Sequence, residues 1–349
     1  MKVEKKVLGN LEKCYCVALL NYRGRDHILV AAEKQDPCWM FDLEGNYEET
    51  IWEKPGGTMS MVQVPGSDGV FLATHRFYSP NDSKEAAIVC VRPGAGGWQV
   101  SVLKKLPFVH RFDILRRNGR NYLIACTLKS AHEYKDDWRS PGKVYAALLP
   151  EDLTVFSEAR PLELEPVMEG LTRNHGYYRV VRKGVESAVV SSDEGVFCFA
   201  PPEEEGGKWQ IEKLISQPAS DGVLLDLDGD GNEELAVISP FHGADIRIYG
   251  REGGGFKQVY QYEKPAEFAH AIYGGELCGR PGLVIGHRKG ERNLLAFFWN
   301  PEKKRFECQV LDRDCGPANV LRFVRGGADV IVSANRETNE IAMYTLKQD

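Results

Sequence analysis

Six of the eight histidines in this 349-residue chain stand at two kinds of place: where an apolar run begins, or where the next apolar run ends. His110, His175 and His270 open runs, in FVHRFDIL, RNHGYYRVV and FAHAIYG. His75, His242 and His287 close them, in FLATHRF, AVISPFHG and LVIGHRKG. Imidazole titrates at about 6.5, so it can take or give a proton near neutrality, and several neutral imidazoles together can ligate a transition metal. Cations and amides recur at the same places: Arg76, Arg111, Lys129, Arg288 and Arg336, with Asn319 and Asn335. A lone histidine at a strand end is ordinarily a hydrogen-bonding surface residue. Six at equivalent positions of a repeating pattern are better explained by a shared site.

The pattern that positions them runs through the whole chain. A small or polar start, an apolar run, a Gly/Asp/Asn turn, a second apolar run, a polar cluster and a third run recur from about residues 14, 57, 108, 173, 220, 268 and 316. A fourth, more polar run often follows. The runs alternate or stay apolar for about four to eight residues and then stop, which is strand rather than helix periodicity. The 35 glycines supply tight turns. Seven strand-only units of about 50 residues predict an all-β, seven-bladed β-propeller of four-stranded antiparallel blades, with residues 1–349 as a single domain.

That architecture sorts the polar residues. The innermost strand of a blade runs along the central axis and the second returns beside it, so the start of the first and the end of the second open on one face. Starts of first strands supply His110, His175, Asp221, His270 and Asn319; ends of second strands supply Lys34, His75, Lys129, His242, His287 and Asn335. The separations agree from blade to blade: His270 and His287 are 17 positions apart, Asn319 and Asn335 are 16. Six histidines should therefore converge at one mouth of the axial channel. His132 lies in the long loop KSAHEYKDDWRSPGK, which is placed to arch over that mouth, while His27 falls on the turn side. His110 and His175, held on inner strands, are the preferred acid/base pair, with His270, Lys129 and Tyr178 as further catalytic candidates. Arg76, Arg111, Arg288, Asn319, Asn335 and Arg336 are the expected substrate-binding set, since guanidinium groups grip carboxylates in bidentate fashion. His75, His242 and His287 are candidate ligands for zinc or another divalent transition metal.

DLDGDGNEEL, residues 226–235, places Asp226, Asp228, Asp230 and Glu234 at loop positions 1, 3, 5 and 9. Alternating carboxylates around glycines wrap oxygens about a hard cation, the logic of calcium loops, although position 12 is Val237 rather than Glu. The loop joins the first two strands of the fifth unit and so lies on the face away from the histidines. Calcium there would brace a turn rather than activate a substrate.

With this loop the chain resembles the FG-GAP/VCBS-type repeat propellers. The pieces HRFD, FHGADI, GHRKG and ANRETNEIAMY, with the His/Arg-lined mouth, are similar to sugar-acting propeller lyases: rhamnose–glucuronate lyases, ulvan lyases and the propeller of aldos-2-ulose dehydratase. The resemblance implies β-elimination on a uronic-acid or keto-sugar ring by His and Tyr, with Arg or a metal steadying the anion. The rival readings are another sugar-active enzyme, a hydrolase or isomerase, or a propeller that only binds carbohydrate or protein. Glycoside hydrolysis needs two carboxyl groups flanking one bond, and no such pair stands out by spacing.

Composition sets the outer bounds. A net charge of -6 without a basic stripe argues against nucleic acid as a partner. No apolar run is long enough to span a bilayer as a helix, so no membrane is expected. Nine cysteines sit mostly within apolar runs such as YLIACTL, as reduced core thiols do, and MKVEKKVLGNLEK lacks the apolar stretch of a secretory leader. Both point to a cytoplasmic protein; because secreted members of the sugar-acting lyases carry signal peptides, the resemblance then implies a small carbohydrate as substrate, and the oligomeric state is left open.

Overall fold

The alternating runs form strands in order, several joined by two-residue turns at positive φ such as Arg23–Gly24, Asn118–Gly119 and Lys183–Gly184. The computed structural model describes residues 1–347, in seven four-stranded antiparallel sheets. Strand β1 (Lys2–Asn10) is followed by a first blade of β2 (Cys14–Tyr22), β3 (Arg25–Ala32), β4 (Cys38–Asp42) and β5 (Tyr47–Trp52). The second holds β6 (Met61–Gln63), β7 (Phe71–His75), β8 (Ala87–Gly94) and β9 (Gly97–Lys105); the third β10 (Val109–Arg117), β11 (Arg120–Thr127), β12 (Gly142–Leu149) and β13 (Glu165–Leu171). The fourth comprises β14 (Gly176–Arg182), β15 (Val185–Ser192), β16 (Gly195–Ala200) and β17 (Gln210–Ile215). The fifth comprises β18 (Asp221–Leu225), β19 (Glu234–Ser239), β20 (Asp245–Glu252) and β21 (Gly255–Gln261). The sixth has β22 (Ala269–Leu277), β23 (Arg280–His287), β24 (Leu294–Asn300) and β25 (Arg305–Asp312). Among the described residues the only helical element is a single 3-10 turn, Leu153–Val155.

The seventh blade departs from the sequence expectation. It contains β26 (Asn319–Arg325), β27 (Ala328–Asn335) and β28 (Glu340–Lys347), and its fourth, outermost strand is β1, paired antiparallel with β28 from Lys2↔Lys347 to Asn10↔Glu340. The first and last strands thus share one sheet. Inner strands touch in sequence order around the ring, and β26 against β2 closes it. Closure leaves the barrel-like ring without a seam at which strand edges would be exposed. Second strands form its driest layer: Ile28, Leu72, Leu123, Val189, Ala236, Val284 and Ile331 are all sealed from solvent. Seven of the nine thiols are buried in the same packing.

Three inner strands carry the same irregularity. Between β2 and β3 the register steps from Cys14↔Ala32 to Cys16↔Ala31, skipping Tyr15. Between β10 and β11 it skips His110, and between β22 and β23 it skips His270. A bulge inserts one unpaired residue and re-aims its side chain. In blades one, three and six that residue is a Tyr or His at the start of the axial strand.

Candidate functional site on the propeller axis

The strand-start residues form a latch around the axis. His110 Nδ1 lies 3.2 Å from the carbonyl oxygen of His175, His175 Nδ1 lies 3.0 Å from that of Ser220, and His270 Nδ1 lies 2.7 Å from that of Ala318. A carbonyl only accepts, so each Nδ1 carries the proton and each Nε2 is left with its lone pair. Each bond crosses from one blade to the next. Gly176 makes one of them possible: a Cβ there would lie 2.5 Å from the Ser220 oxygen and 2.7 Å from Asp221 Cα. Only glycine lets blades four and five approach closely enough to join His175 to Ser220.

The free edges of these rings meet. The His110 and His175 centroids are 4.5 Å apart, His175 and His242 4.9 Å, and His175 and His270 5.0 Å. Ligand atoms of His175, His242 and His270 all lie within 4.8 Å of one another. His175 Nε2 is buried with no hydrogen-bond partner, whereas His270 Nε2 accepts from the Tyr15 hydroxyl at 2.9 Å. Burial holds the four imidazoles neutral. It pulls His175 down to about 3, with Arg111 adding to the effect, and pulls His110, His242 and His270 well below the ordinary histidine range. Neutral rings of fixed tautomer are good ligands and poor proton acceptors.

The histidine face itself is covered. The loop between β11 and β12 arches over it, as its length implied, and Trp138 packs edge-on against Phe241 at 5.5 Å. Phe241 stacks on His242 at 3.8 Å, and His242 on Phe268 at 4.2 Å. His242 and Phe268 both adopt left-handed backbone (φ 50° and 57°), a strained choice for such residues that turns their rings inward. Lys129 fastens the loop: its sealed Nζ donates to the Asp137 carbonyl at 2.9 Å and sits 3.9 Å from the Trp138 ring centroid.

Below this cover lies an axial cavity of about 370 Å³. Arg111, Asp221, His270 and Asn319 line its deep end, and Tyr178, Arg179, Tyr273 and Arg322 line it farther along the strands. Arg111 Nη1 donates to the Met59 carbonyl at 2.7 Å. Among the described residues no carboxylate forms an ion pair with Arg111, so its charge is available to the cavity. Asp221 is buried and its Oδ1 has no hydrogen-bond partner. Burial raises its carboxyl to about 7, against the opposing pull of Arg111 and the Tyr177 and Gly222 amides. A carboxyl that titrates near neutrality beside an unpaired guanidinium is equipped for proton transfer next to an anion.

Other residues expected at the site are differently employed. The Tyr178 hydroxyl donates to the Gly274 carbonyl at 3.0 Å and accepts from the Gly274 amide at 2.9 Å, joining blade four to blade six, so it is not a ready proton donor. Lys129 serves the loop, not the cavity. Arg288 is paired with Glu337, and Arg336 with Glu33 and Glu337, in one chain of charges linking blades six, seven and one. Asn335 is sealed, bonded to Glu340 and Tyr344, while Arg76 is exposed at the surface. Nor do His75, His242 and His287 gather as a trio. His75 packs edge-on against Trp52 at 4.7 Å, and the His287 nitrogens are engaged with the Lys289 carbonyl at 2.9 Å and the Asn293 amide at 3.0 Å. Second-strand ends lie one strand farther from the axis than first-strand starts; only His242, swung inward, reaches His175 and His270.

Sequence reasoning overlooked Tyr15, which stands in blade one where His110 and His270 stand in theirs; the blade alignment held that signal. Asp221 was placed at the mouth without a role, and Trp138 and Phe241 gave none.

At the opposite end of blade five, ligand atoms of Asp226, Asp228 and Glu234 also lie within 4.8 Å of one another. Asp226 accepts from the Gly229 and Gly231 amides at 2.7 and 3.0 Å, and Glu234 from the Leu227 and Asp228 amides at 2.7 and 3.3 Å. Burial and the neighbouring Asp228 and Asp226 charges raise Glu234 to about 7. Asp230 lies outside the trio and caps the Asn232 amide at 2.7 Å.

The fold and the axial cavity define a seven-bladed β-propeller. Similar solved structures include virginiamycin B lyase from Staphylococcus aureus, with TM-score 0.60, 13% identity and 99% of each chain covered. The Cps50 (Swd1) β-propeller domain of Myceliophteria thermophila is similar with TM-score 0.59 and 9% identity over 99% of this chain and 100% of that one. The Dos1 propeller is similar with TM-score 0.57 and 9% identity over 96% and 80%. At these identities the likeness concerns the fold. No family model and no curated protein matches the chain.

Proposed function

We propose that the chain is a carbon–oxygen lyase that performs β-elimination on a small uronic-acid or keto-sugar substrate in the axial cavity. The observation that carries this reading is the pairing, in one cavity, of Asp221, whose Oδ1 has no hydrogen-bond partner, with Arg111, whose charge no carboxylate among the described residues neutralises. Arg111 would hold the substrate carboxylate or carbonyl oxygen and stabilise the enolate that forms when the neighbouring carbon loses its proton. Asp221 would take that proton and return it to the leaving oxygen on the same face of the ring. The C–H bond breaks, a C=C bond forms, the C–O bond breaks, and the proton leaves with the departing hydroxyl. His270, with both nitrogens engaged, would hold the wall and position Tyr15 rather than transfer the proton. A lyase among the propellers of similar fold agrees with this reading.

A divalent transition metal fits the histidine cluster in part. His175, His242 and His270 would hold it: their Nδ1–H donors to backbone carbonyls at His175 and His270 are the usual outer support of metal-binding imidazoles, and the His175 Nε2 is uncommitted. Tyr15 would have to release His270 Nε2. Such an ion would supply Lewis acidity at the deep end of the cavity. Calcium fits Asp226, Asp228 and Glu234 as a brace for the blade-five hairpin.

Elimination from a uronate creates a conjugated product that absorbs in the ultraviolet. Incubation with unsaturated-product-forming uronates should raise that absorbance, and Asp221→Asn should lower kcat by at least 100-fold. Release of sugars without the chromophore would replace elimination by hydrolysis.

A further inference from the structure

We propose that ligands reach the axial cavity through the face bearing the β2–β3-type hairpins, opposite the histidines, with an anionic group leading toward Arg111 and with Arg179 and Arg322 as gateposts. The inference rests on the cavity as the reactive site but not on the reaction assigned to it.

Among the described residues the histidine face is closed by side-chain packing. Tyr15, His110, His175, Ser220, His270 and Ala318 are all buried, and the Trp138–Phe241–His242–Phe268 stack lies over them. Exposure rises along the inner strands in the other direction. Arg179 retains 40% of its side-chain exposure, and beyond it Val181 and Val324 are 68% and 51% exposed, among the largest values for apolar residues in the chain. Strand alternation puts Val181 on the side of β14 that carries Arg179, and Val324 on the side of β26 that carries Arg322. Blades four and seven stand across the channel from each other, so these pairs form two sides of one lip.

The gateposts differ from Arg111 in charge. Arg179 grips Asp113 through Nε, at 2.9 Å, and Nη2. Arg322 grips Asp329 through Nε, at 2.6 Å, and Nη2. Their charges are matched, and among the described residues neither Nη1 has a hydrogen-bond partner. They can therefore donate hydrogen bonds to hydroxyls without trapping an anion at the entrance. Arg111, deeper and unmatched, is where negative charge is stabilised. This gradient selects a small polyhydroxylated molecule with an anionic group at one end, a carboxylate or a phosphate.

The experiment uses the full chain, with stopped-flow tryptophan fluorescence for association and calorimetry for affinity; the probes are glucuronate, inorganic phosphate and glucose. Glucuronate or phosphate should bind, the one that binds identifying the anion, and Arg111→Gln should weaken that binding at least ten-fold; glucose should bind far more weakly. Val181→Trp/Val324→Trp, at exposed positions, should slow association at least ten-fold. Trp138→Leu, on the other face, should leave association within about two-fold. The pair-removing variant Asp113→Asn/Arg179→Gln, which strands no buried charge, should weaken glucuronate by several-fold. Failure of both anions to bind, an unchanged affinity in Arg111→Gln, or faster association in Trp138→Leu with none of the slowing at the lip would overturn the inference. Asp221→Asn separates the two readings, since it should bind within about three-fold of wild type. Binding and lip effects as stated, with no turnover of any uronate by the wild type, would sink the lyase and keep the route.

Discussion

His75 tests how burial, rather than metal ligation, controls the histidines of this propeller. It is 3% exposed, packs against Trp52, and leaves Nε2 without a partner. Burial, with Arg76 nearby, depresses its pKa to about 4, against about 6.5 in an unfolded chain. The folded state therefore stays neutral where the unfolded state gains a proton. Above the unfolded value both forms are neutral and nothing is lost; as pH falls from about 6.5 toward about 4, stability declines. Between about pH 7.5 and pH 5 the loss from this one group is about 2 kcal/mol. His75→Phe keeps the ring and removes the titration. Urea unfolding of both proteins across that range should show the variant losing about 2 kcal/mol less than the wild type, whatever its stability at pH 7.5. Parallel pH dependences would refute the assignment of His75 as a buried neutral ring.

Other consequences can be checked with single substitutions. Tyr15→Phe removes the hydroxyl that engages His270 Nε2 and should cost about 1–3 kcal/mol of stability by leaving a buried acceptor unpaired, measured by denaturant unfolding. If zinc binds the histidine cluster, the same variant should bind it more tightly in calorimetric titration, because His270 Nε2 is then released. Lys129→Met should free the β11–β12 loop from Trp138 and Asp137, read as faster amide exchange across residues 130–141 with the blade cores still protected. Calcium at saturating concentration should raise the Tm of the wild type, and Asp226→Asn/Glu234→Gln should abolish that rise.

The blade pattern was readable because its signals are local: strand period two, turn residues at fixed offsets, and one unit repeated. Closure of blade seven by β1 was not, since KVEKKVLGN carries four charges in nine residues and no clean apolar alternation, and its partner β28 lies at the far end of the chain. Blade equivalence brought His110, His175 and His270 to the axis correctly in register. It could not distinguish a ring that faces the axis from one that faces a neighbouring blade, so His75 and His287 were grouped with His242. Asp221 went without a role because its character comes from burial and from Arg111, neither visible in SDGVLLDLD. The covered histidine face has the same origin: Trp138 meets Phe241 only after blades three and five are brought together. Of the calcium-type loop, Asp226, Asp228 and Glu234 converge as their spacing implied, while Asp230 turns to its own backbone.

A crystal structure of Asp221→Asn soaked with a uronate tests the central claim most directly. The account predicts the sugar in the axial cavity, its carboxylate on the Arg111 guanidinium and a neighbouring ring C–H within about 3.5 Å of the side chain at position 221. A uronate bound on the histidine face or on the outer blades, with the axial cavity holding only water, would contradict it.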